Sequence, residues 1–145
     1  MKGLLRVAAL AGIVLATAGS LLAQTPTVTP YGDSCGPVLT GAVTPNGNTL
    51  RFAFTVNQGT PRARVLLVVG VNEQAVRLPG TPCFLLTEIA FSQQHRLDTT
   101  GSYTWSHALP ADFHGYARVQ FIEVDLDAPF GVAFTPSNGV LMEVP

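Results

Sequence analysis

The sequence contains a single lysine, Lys2, and none follows it. Once the first 23 residues are set aside, six arginines remain against nine acidic residues, which gives a net charge of −3. A mildly acidic chain without basic clusters lacks the electrostatic footprint of nucleic-acid binding or of docking on anionic lipid. We therefore expect neither nucleic acid nor a membrane surface as a partner.

Long apolar runs are also missing, with one exception at the amino terminus. Lys2 and Arg6 precede an uninterrupted run of small and apolar residues from Val7 to Ala18, and the small residue Ala23 comes before Gln24. This is the pattern of a secretory signal peptide, and the run is shorter than the roughly 20 residues of a membrane span. The pattern predicts a signal peptide over residues 1–23, export to the periplasm or beyond, and no membrane insertion after its removal.

Catalytic and metal-binding motifs are absent as well. The chain has no GxSxG, HExxH or CxxC pattern, and a nucleophile would need a base that is itself oriented by a third group. Three histidines, His95, His107 and His114, are accompanied by Asp98 and Asp112, but no motif links them into a triad or a metal site. We expect a protein that is not an enzyme, with no catalytic residue, cofactor or metal.

Only two cysteines occur, Cys35 and Cys83. In an exported chain the simplest expectation is one disulfide, because the compartment is oxidising and the spacing fits no zinc or redox motif. On a chain-entropy estimate, closing this loop stabilises the fold by about 4 kcal/mol.

Proline and glycine are plentiful by contrast, and they separate short apolar runs. All eleven prolines and eleven of fourteen glycines follow residue 23, which favours strands and turns over long helices. We predict an extended lead-in over 24–34 and, over 35–145, an all-β sandwich of about eight mainly antiparallel strands. The predicted strands span residues 37–43, 50–56, 64–71, 74–78, 83–91, 103–109, 116–126, 131–135 and 140–144.

Four segments carry more specific predictions. Residues 64–71 are apolar on both faces, which is typical of a central strand covered on each side. The strand assigned to 83–91 would also suit an amphipathic helix. The apolar positions of 116–126 change phase, which predicts a β-bulge or bend near Phe121–Ile122. Pro136–Gly139 has the composition of a hairpin turn.

Several short motifs carry a family resemblance. They are Tyr31–Gly36 (YGDSCG), Cys83 after Leu78-Pro79, Leu109-Pro110, Val119–Phe121 and Ser137–Gly139 (SNG). With them the chain resembles a cystine-linked β-sandwich module of exported bacterial proteins, often found as a carboxy-terminal domain after longer extracellular regions. The resemblance implies a β-sandwich with a role at or outside the cell surface. It implies no catalytic residue, because the family has no assigned biochemical activity.

Two groups of side chains are candidates for binding. Glu123, Asp125 and Asp127 would share one face of a strand and could offer oxygens to Ca²⁺, although such a row is also typical of a solvated strand face. Tyr103 and Trp105 could stack on a sugar, although aromatic side chains in a domain of this size are more often core.

Two further aromatic residues, Phe113 and Tyr116, complete the aromatic set, whereas Arg62 and Arg64 flank a strand start and are expected to face solvent. The prediction is a non-enzymatic extracellular module with a structural, adhesive or surface-associated role, whose partner is a cell-surface or extracellular protein or glycan. The alternative is a carbohydrate- or calcium-dependent binding domain.

Overall fold

The computed structural model describes residues 25–145; the predicted signal peptide at 1–23 lies outside the described residues. The described chain is all-β, and it contains no helix and therefore none that could cross a membrane. The ten strands are β1 Thr27–Tyr31, β2 Val38–Asn46, β3 Thr49–Asn57, β4 Arg64–Gly70, β5 Glu73–Arg77, β6 Phe84–Thr87, β7 Phe91–Arg96, β8 Tyr103–Pro110, β9 Gly115–Asp125 and β10 Ala133–Val144.

The strands form a sandwich with a small additional layer. A five-stranded sheet has the order β1-β10-β9-β4-β7, a three-stranded sheet the order β2-β3-β8, and β5 pairs with β6 in a separate hairpin. Every pairing is antiparallel. The all-β sandwich predicted from the sequence is therefore confirmed, with ten strands in place of about eight.

Two apolar cores lie on opposite faces of the five-stranded sheet. The larger core fills the space between the two main sheets and includes Phe52, Phe54 and Phe121. The smaller core, built on Val68, Leu85 and Ile122, lies between the outer face of the large sheet and the β5–β6 hairpin. Strand β4 contributes to both cores, so the prediction that residues 64–71 are covered on each side is confirmed.

The β-bulge predicted in β9 is wrong, and the second core explains the apolar pattern that suggested it. This strand pairs with β4 without a break in register, so it contains no extra residue. The apolar set shifts from Val119 and Phe121 to Ile122 because both faces of β9 are buried, one in each core. A strand that is buried on both faces has apolar residues at consecutive positions. If only one face is assumed to be buried, these positions look like a one-residue shift in the apolar alternation.

The irregularity lies instead on the neighbouring strand, where the predicted hairpin is wrong. Strand β10 runs without a turn from Ala133 to Val144. Pro136 pairs with Ile122 and Gly139 with Gln120, so Ser137 and Asn138 together lie opposite the single residue Phe121. Two residues opposite one are a β-bulge, and the turn-like composition of this segment serves that bulge.

Two strands were not predicted. The segment predicted as an extended lead-in contains β1, which pairs with β10 at one edge of the large sheet. Strand β7 has the polar sequence FSQQHR, without an apolar alternation, and it is held at the opposite edge by pairing with β4. Residues 83–91, predicted as one strand, divide into β6 and the start of β7, and none of them is helical.

The disulfide and a buried polar network fasten the hairpin layer and the bulge. Cys35 and Cys83 are bonded, as predicted, with a Cα–Cα distance of 6.1 Å, and this links the β1–β2 connection to the start of β6. The disulfide indicates an oxidising compartment. Gln120, which is completely buried, accepts the Leu86 N–H at 2.9 Å and donates to the Phe84 and Ser137 carbonyls at 3.1 and 2.8 Å.

Asn138 on β10 connects the two main sheets through hydrogen bonds to Leu39 on β2. Its side-chain oxygen accepts the Leu39 N–H at 2.8 Å, and its Nδ2 donates to the Leu39 carbonyl at 3.0 Å. Ser137 accepts the Phe121 N–H through Oγ at 3.0 Å. The residues VQF and SNG, on which part of the family resemblance rests, therefore have a structural role here. They satisfy the Phe121 N–H and the Ser137 carbonyl at the bulge, and they bond backbone groups of β2 and β6.

Candidate binding cleft at the open side of the sandwich

The sandwich is closed along one side and open along the other. On the closed side, β2 contacts both β1 and β10. On the open side, β7 and β8 are the free edges of their respective sheets. The side chains that these two strands turn inward therefore line a gap between the sheets.

Register with the buried neighbours shows which side chains face this gap. On β8, Tyr103, Trp105, His107 and Leu109 lie opposite core residues of β3, with Trp105 beside Phe54. On β7, Phe91, Gln93 and His95 lie opposite Val69, Leu67 and Val65. Val65 and Leu67 belong to the intersheet core, and Val69 packs against it. Side chains directly opposite each other in an antiparallel pair project to the same face, so both edge strands present an inward row.

Part of the gap is an apolar cleft of about 360 Å³. Phe52, Phe54 and Val119, all buried, form its floor, whereas Phe91 at its mouth is 49% exposed. Every lining residue except one is apolar. The lining consists of Phe52, Phe54, Val69, Phe91, Trp105, His107, Leu109, Phe113, Ala117, Val119 and Met142.

Trp105 stacks on two aromatic neighbours. Its ring stacks on Phe54 at a centroid distance of 5.8 Å and on His107 at 5.6 Å, with interplanar angles of 25° and 6°. The indole is half-buried, and His107 is exposed at the rim. Offset stacking of this kind orients the rings and fixes the shape of the cleft wall.

Tyr103 is covered by a different neighbour. The His95 imidazole stacks on its ring at 4.4 Å, and Phe121 meets the ring edge-on at 6.2 Å. The two residues predicted as a sugar-stacking pair therefore share a strand face, but Trp105 lines the cleft and Tyr103 does not.

His95 itself is a partly buried base on the inner face. Burial lowers the pKa of this imidazole, and within residues 25–145 its buried Nε2 has no hydrogen-bond partner. His107 lies on the facing strand, whereas His114 contacts the Pro145 carbonyl at the end of the chain. Asp98 accepts hydrogen bonds from Thr100 and Ser102, which lower the pKa of its carboxyl, so this carboxylate stabilises its own turn and orients no histidine.

The three carboxylates predicted as calcium ligands line one depression, but they are not grouped as metal ligands. Glu123 is nearly buried and accepts the Thr60 N–H at 2.9 Å, while Asp125 accepts the Asp127 N–H at 2.9 Å. In the part of the chain that the structure describes, no three histidine, cysteine or acidic side chains are grouped so that they could hold a metal ion.

Comparison with family models, with curated proteins and with solved structures gives no match to this chain. Function is therefore inferred from the cleft itself. Sequence reasoning had named Trp105, Phe113 and His107 among its candidates but not Phe91, Ala117 or Met142. The position of Phe91 at the start of an otherwise polar segment offered no periodic signal, and the cleft arises only where two edge strands face each other.

Proposed function

We propose that this protein is an exported, non-enzymatic β-sandwich module with an adhesive or surface-associated role, and that it binds an apolar group of its partner in the intersheet cleft. The cleft carries this proposal. Its volume of about 360 Å³ falls within the usual range for small-molecule sites, and such sites are mostly apolar with a few polar groups. The disulfide agrees with action in an oxidising compartment.

The lining determines which chemistry fits. His107 is the only polar side chain among the lining residues, and it lies at the rim. A sugar that entered the cleft would bury its hydroxyl groups with almost no hydrogen-bond partners. Each hydroxyl group buried in this way makes binding less favourable. Burial of an aliphatic chain or a single aromatic ring in the cleft is favourable by about 25 cal/mol for each Å² of apolar surface removed from water. The occupant that fits is therefore an aliphatic or aromatic group.

Trp105 provides the assay, because it is the only tryptophan in the chain and it lines the cleft. Decanoate, as an aliphatic probe, and N-phenyl-1-naphthylamine, as an aromatic probe, are titrated while the indole fluorescence is recorded. We expect a saturable change with at least one of them and little change with a panel of neutral oligosaccharides. No saturable signal with either apolar probe would contradict the proposal.

A matched pair of variants tests whether the cleft is the site. Ala117→Met fills the cleft, whereas Ala108→Met adds the same side chain on the exposed outer face of β8, opposite Arg51. We expect Ala117→Met to weaken probe binding by about tenfold or more, which corresponds to about 1.4 kcal/mol, and Ala108→Met to leave it unchanged. Equal effects of both substitutions would place the probe elsewhere.

Carbohydrate- or calcium-dependent binding is the second candidate. The half-buried Trp105 indole, stacked nearly parallel to His107, favours sugar stacking at the rim of the cleft. This version predicts a fluorescence change with a polysaccharide and its loss in Trp105→Ala. The calcium version predicts that millimolar Ca²⁺ raises the melting temperature and that Asp125→Ala abolishes the rise; an unchanged melting temperature would eliminate it.

A further inference from the structure

Three of the six arginines in the described chain lie together at one end of the five-stranded sheet. Arg62, Arg64 and Arg96 line a depression of about 350 Å³. All three side chains are exposed, and none of them forms an ion pair within residues 25–145, where the only salt bridge joins Arg118 to Glu73. Three acidic residues, Glu123, Asp125 and Asp127, line the same depression, so the two signs of charge are equal in number there.

Two of these arginines directly oppose each other. Arg64 on β4 pairs with Arg96 on β7, the last residue of that edge strand. Their side chains project to the same face, the outer one, because Val65 and His95 beside them face the intersheet space. Like charges at directly opposite positions of an antiparallel pair destabilise the sheet. The arrangement is unfavourable unless something neutralises it.

None of the three acidic residues of the same depression, Glu123, Asp125 and Asp127, forms an ion pair with these arginines within residues 25–145. The Glu123 carboxylate accepts the Thr60 N–H, and the Asp125 carboxylate accepts the Asp127 N–H. Glu123 lies opposite Val65 and so faces the inner side of the sheet, away from Arg64 and Arg96. Val124, which lies opposite Arg64 on the other neighbouring strand, provides an apolar wall on the arginine side.

Arg62 adds a strained backbone to this group. Its φ is 63°, in the left-handed region that residues other than glycine rarely adopt, and its N–H donates to the Asp98 carbonyl at 2.9 Å. Strain of this kind is concentrated at ligand-binding positions, where the surrounding structure maintains it.

We propose that Arg64 and Arg96, assisted by Arg62, form a binding site for an oxyanion: a sulfate, phosphate or carboxylate group. The planar guanidinium donates two parallel hydrogen bonds to such a group, and an anion between two arginines removes their repulsion. The site lies on the opposite face of the sheet from the apolar cleft. It is therefore independent of the proposed function, and either can fail alone.

Inorganic sulfate and phosphate are the first probes, followed by a sulfated polysaccharide and polygalacturonate to distinguish a free anion from an acidic polymer. Backbone amide shifts are recorded by NMR as each probe is added at low millimolar concentration, against sodium chloride of equal ionic strength. We expect saturable shifts at Arg62, Arg64 and Arg96. The absence of saturable shifts at these residues with all four probes would overturn the proposal.

Charge-removal variants test the arginines individually. Arg96→Gln is expected to weaken oxyanion binding by about tenfold or more, because a charge-assisted hydrogen bond is lost. Arg51→Gln removes the same charge from an exposed position on β3 and is expected to leave binding unchanged. Shifts that survive in the Arg64→Gln/Arg96→Gln double variant would place the anion elsewhere and overturn the assignment.

The melting temperature of the anion-free protein is a second test, because it reports the repulsion between Arg64 and Arg96. Removal of one member of a like-charge pair should raise the low-salt melting temperature of Arg96→Gln by about 1–3 °C. A merely structural arginine would lower this temperature when it is replaced. A lower melting temperature in Arg96→Gln would therefore mean that Arg96 already has a stabilising partner, and would overturn the proposal.

Discussion

Replacement of Gln120 by methionine should cost a large fraction of the stability of this fold. Gln120 is completely buried, and its amide group holds the Leu86 N–H and the Phe84 and Ser137 carbonyls. Methionine has nearly the same volume but can satisfy none of the three groups. Each polar group left buried without a partner costs about 1–3 kcal/mol, so for three groups we expect a loss of about 3–9 kcal/mol from a total that is typically about 5–15 kcal/mol.

Urea denaturation followed by circular dichroism measures this loss. The control is Gln94→Met, the same substitution on the exposed face of edge strand β7, where we expect a change within about 0.5 kcal/mol. The m-value should be unchanged in both variants, because the surface exposed on unfolding is the same. A loss below about 1 kcal/mol in Gln120→Met would refute the idea that this network holds the β5–β6 layer to the sheet.

Three further predictions concern the disulfide, one glycine and one tyrosine. Replacing Cys35 and Cys83 by alanine should cost about 4 kcal/mol in urea denaturation, because the bond closes a loop of 48 residues; an unchanged midpoint would contradict this. Gly101→Ala should cost at least about 2 kcal/mol more than Gly47→Ala by the same method. Both glycines have positive φ, but only at Gly101 would a Cβ overlap a backbone carbonyl, and equal losses would refute the clash. Burial raises the pKa of Tyr31 to about 12 from 10.0, so its protonated form is favoured in the folded state. The stability linked to this group is therefore complete below pH 10 and lost as the pH rises towards 12. Thermal melts should show that Tyr31→Phe removes this part of the alkaline decline, and identical profiles would contradict it.

The sequence predicted best those strands that have one solvent-exposed face or that are apolar on both faces. Residues 50–56 alternate cleanly and form β3, and residues 64–71 are apolar throughout and form most of β4. Both signals are local, because they depend only on whether each face of a strand meets solvent. Strand β7 gave no such signal, since most of its side chains are polar and exposed, and its position is fixed by pairing with β4.

The errors at β9 and β10 both concern features that neighbouring strands decide. Val119, Phe121 and Ile122 are all buried, but in two different cores, and the second core exists only because the β5–β6 hairpin covers the outer face. A sequence pattern cannot show whether a distant hairpin covers a face. The composition of Pro136–Gly139 was correctly identified as irregular, but a bulge and a turn use similar residues, and pairing with β9 decided between them.

For the candidate sites, too, the sequence shows individual residues, whereas the structure shows which residues come together. Trp105 is a candidate from the sequence because an aromatic ring can stack on a sugar, and its place on the inward face follows from alternation along β8. The cleft beside it required β7 to face β8 across the sandwich, a relation between residues distant along the chain. The opposition of Arg64 and Arg96 likewise depends on the register of β4 with β7.

The sequence alone determined the all-β class, the pairing of the two cysteines and the positions of most strands, because alternation, turn residues and a cysteine count are local properties of the chain. The tertiary structure alone decided which faces are covered, which edges remain open and which charges oppose each other. These features depend on strand register and on layers that meet through space, and register is fixed by the packing of whole sheets and not by any single segment.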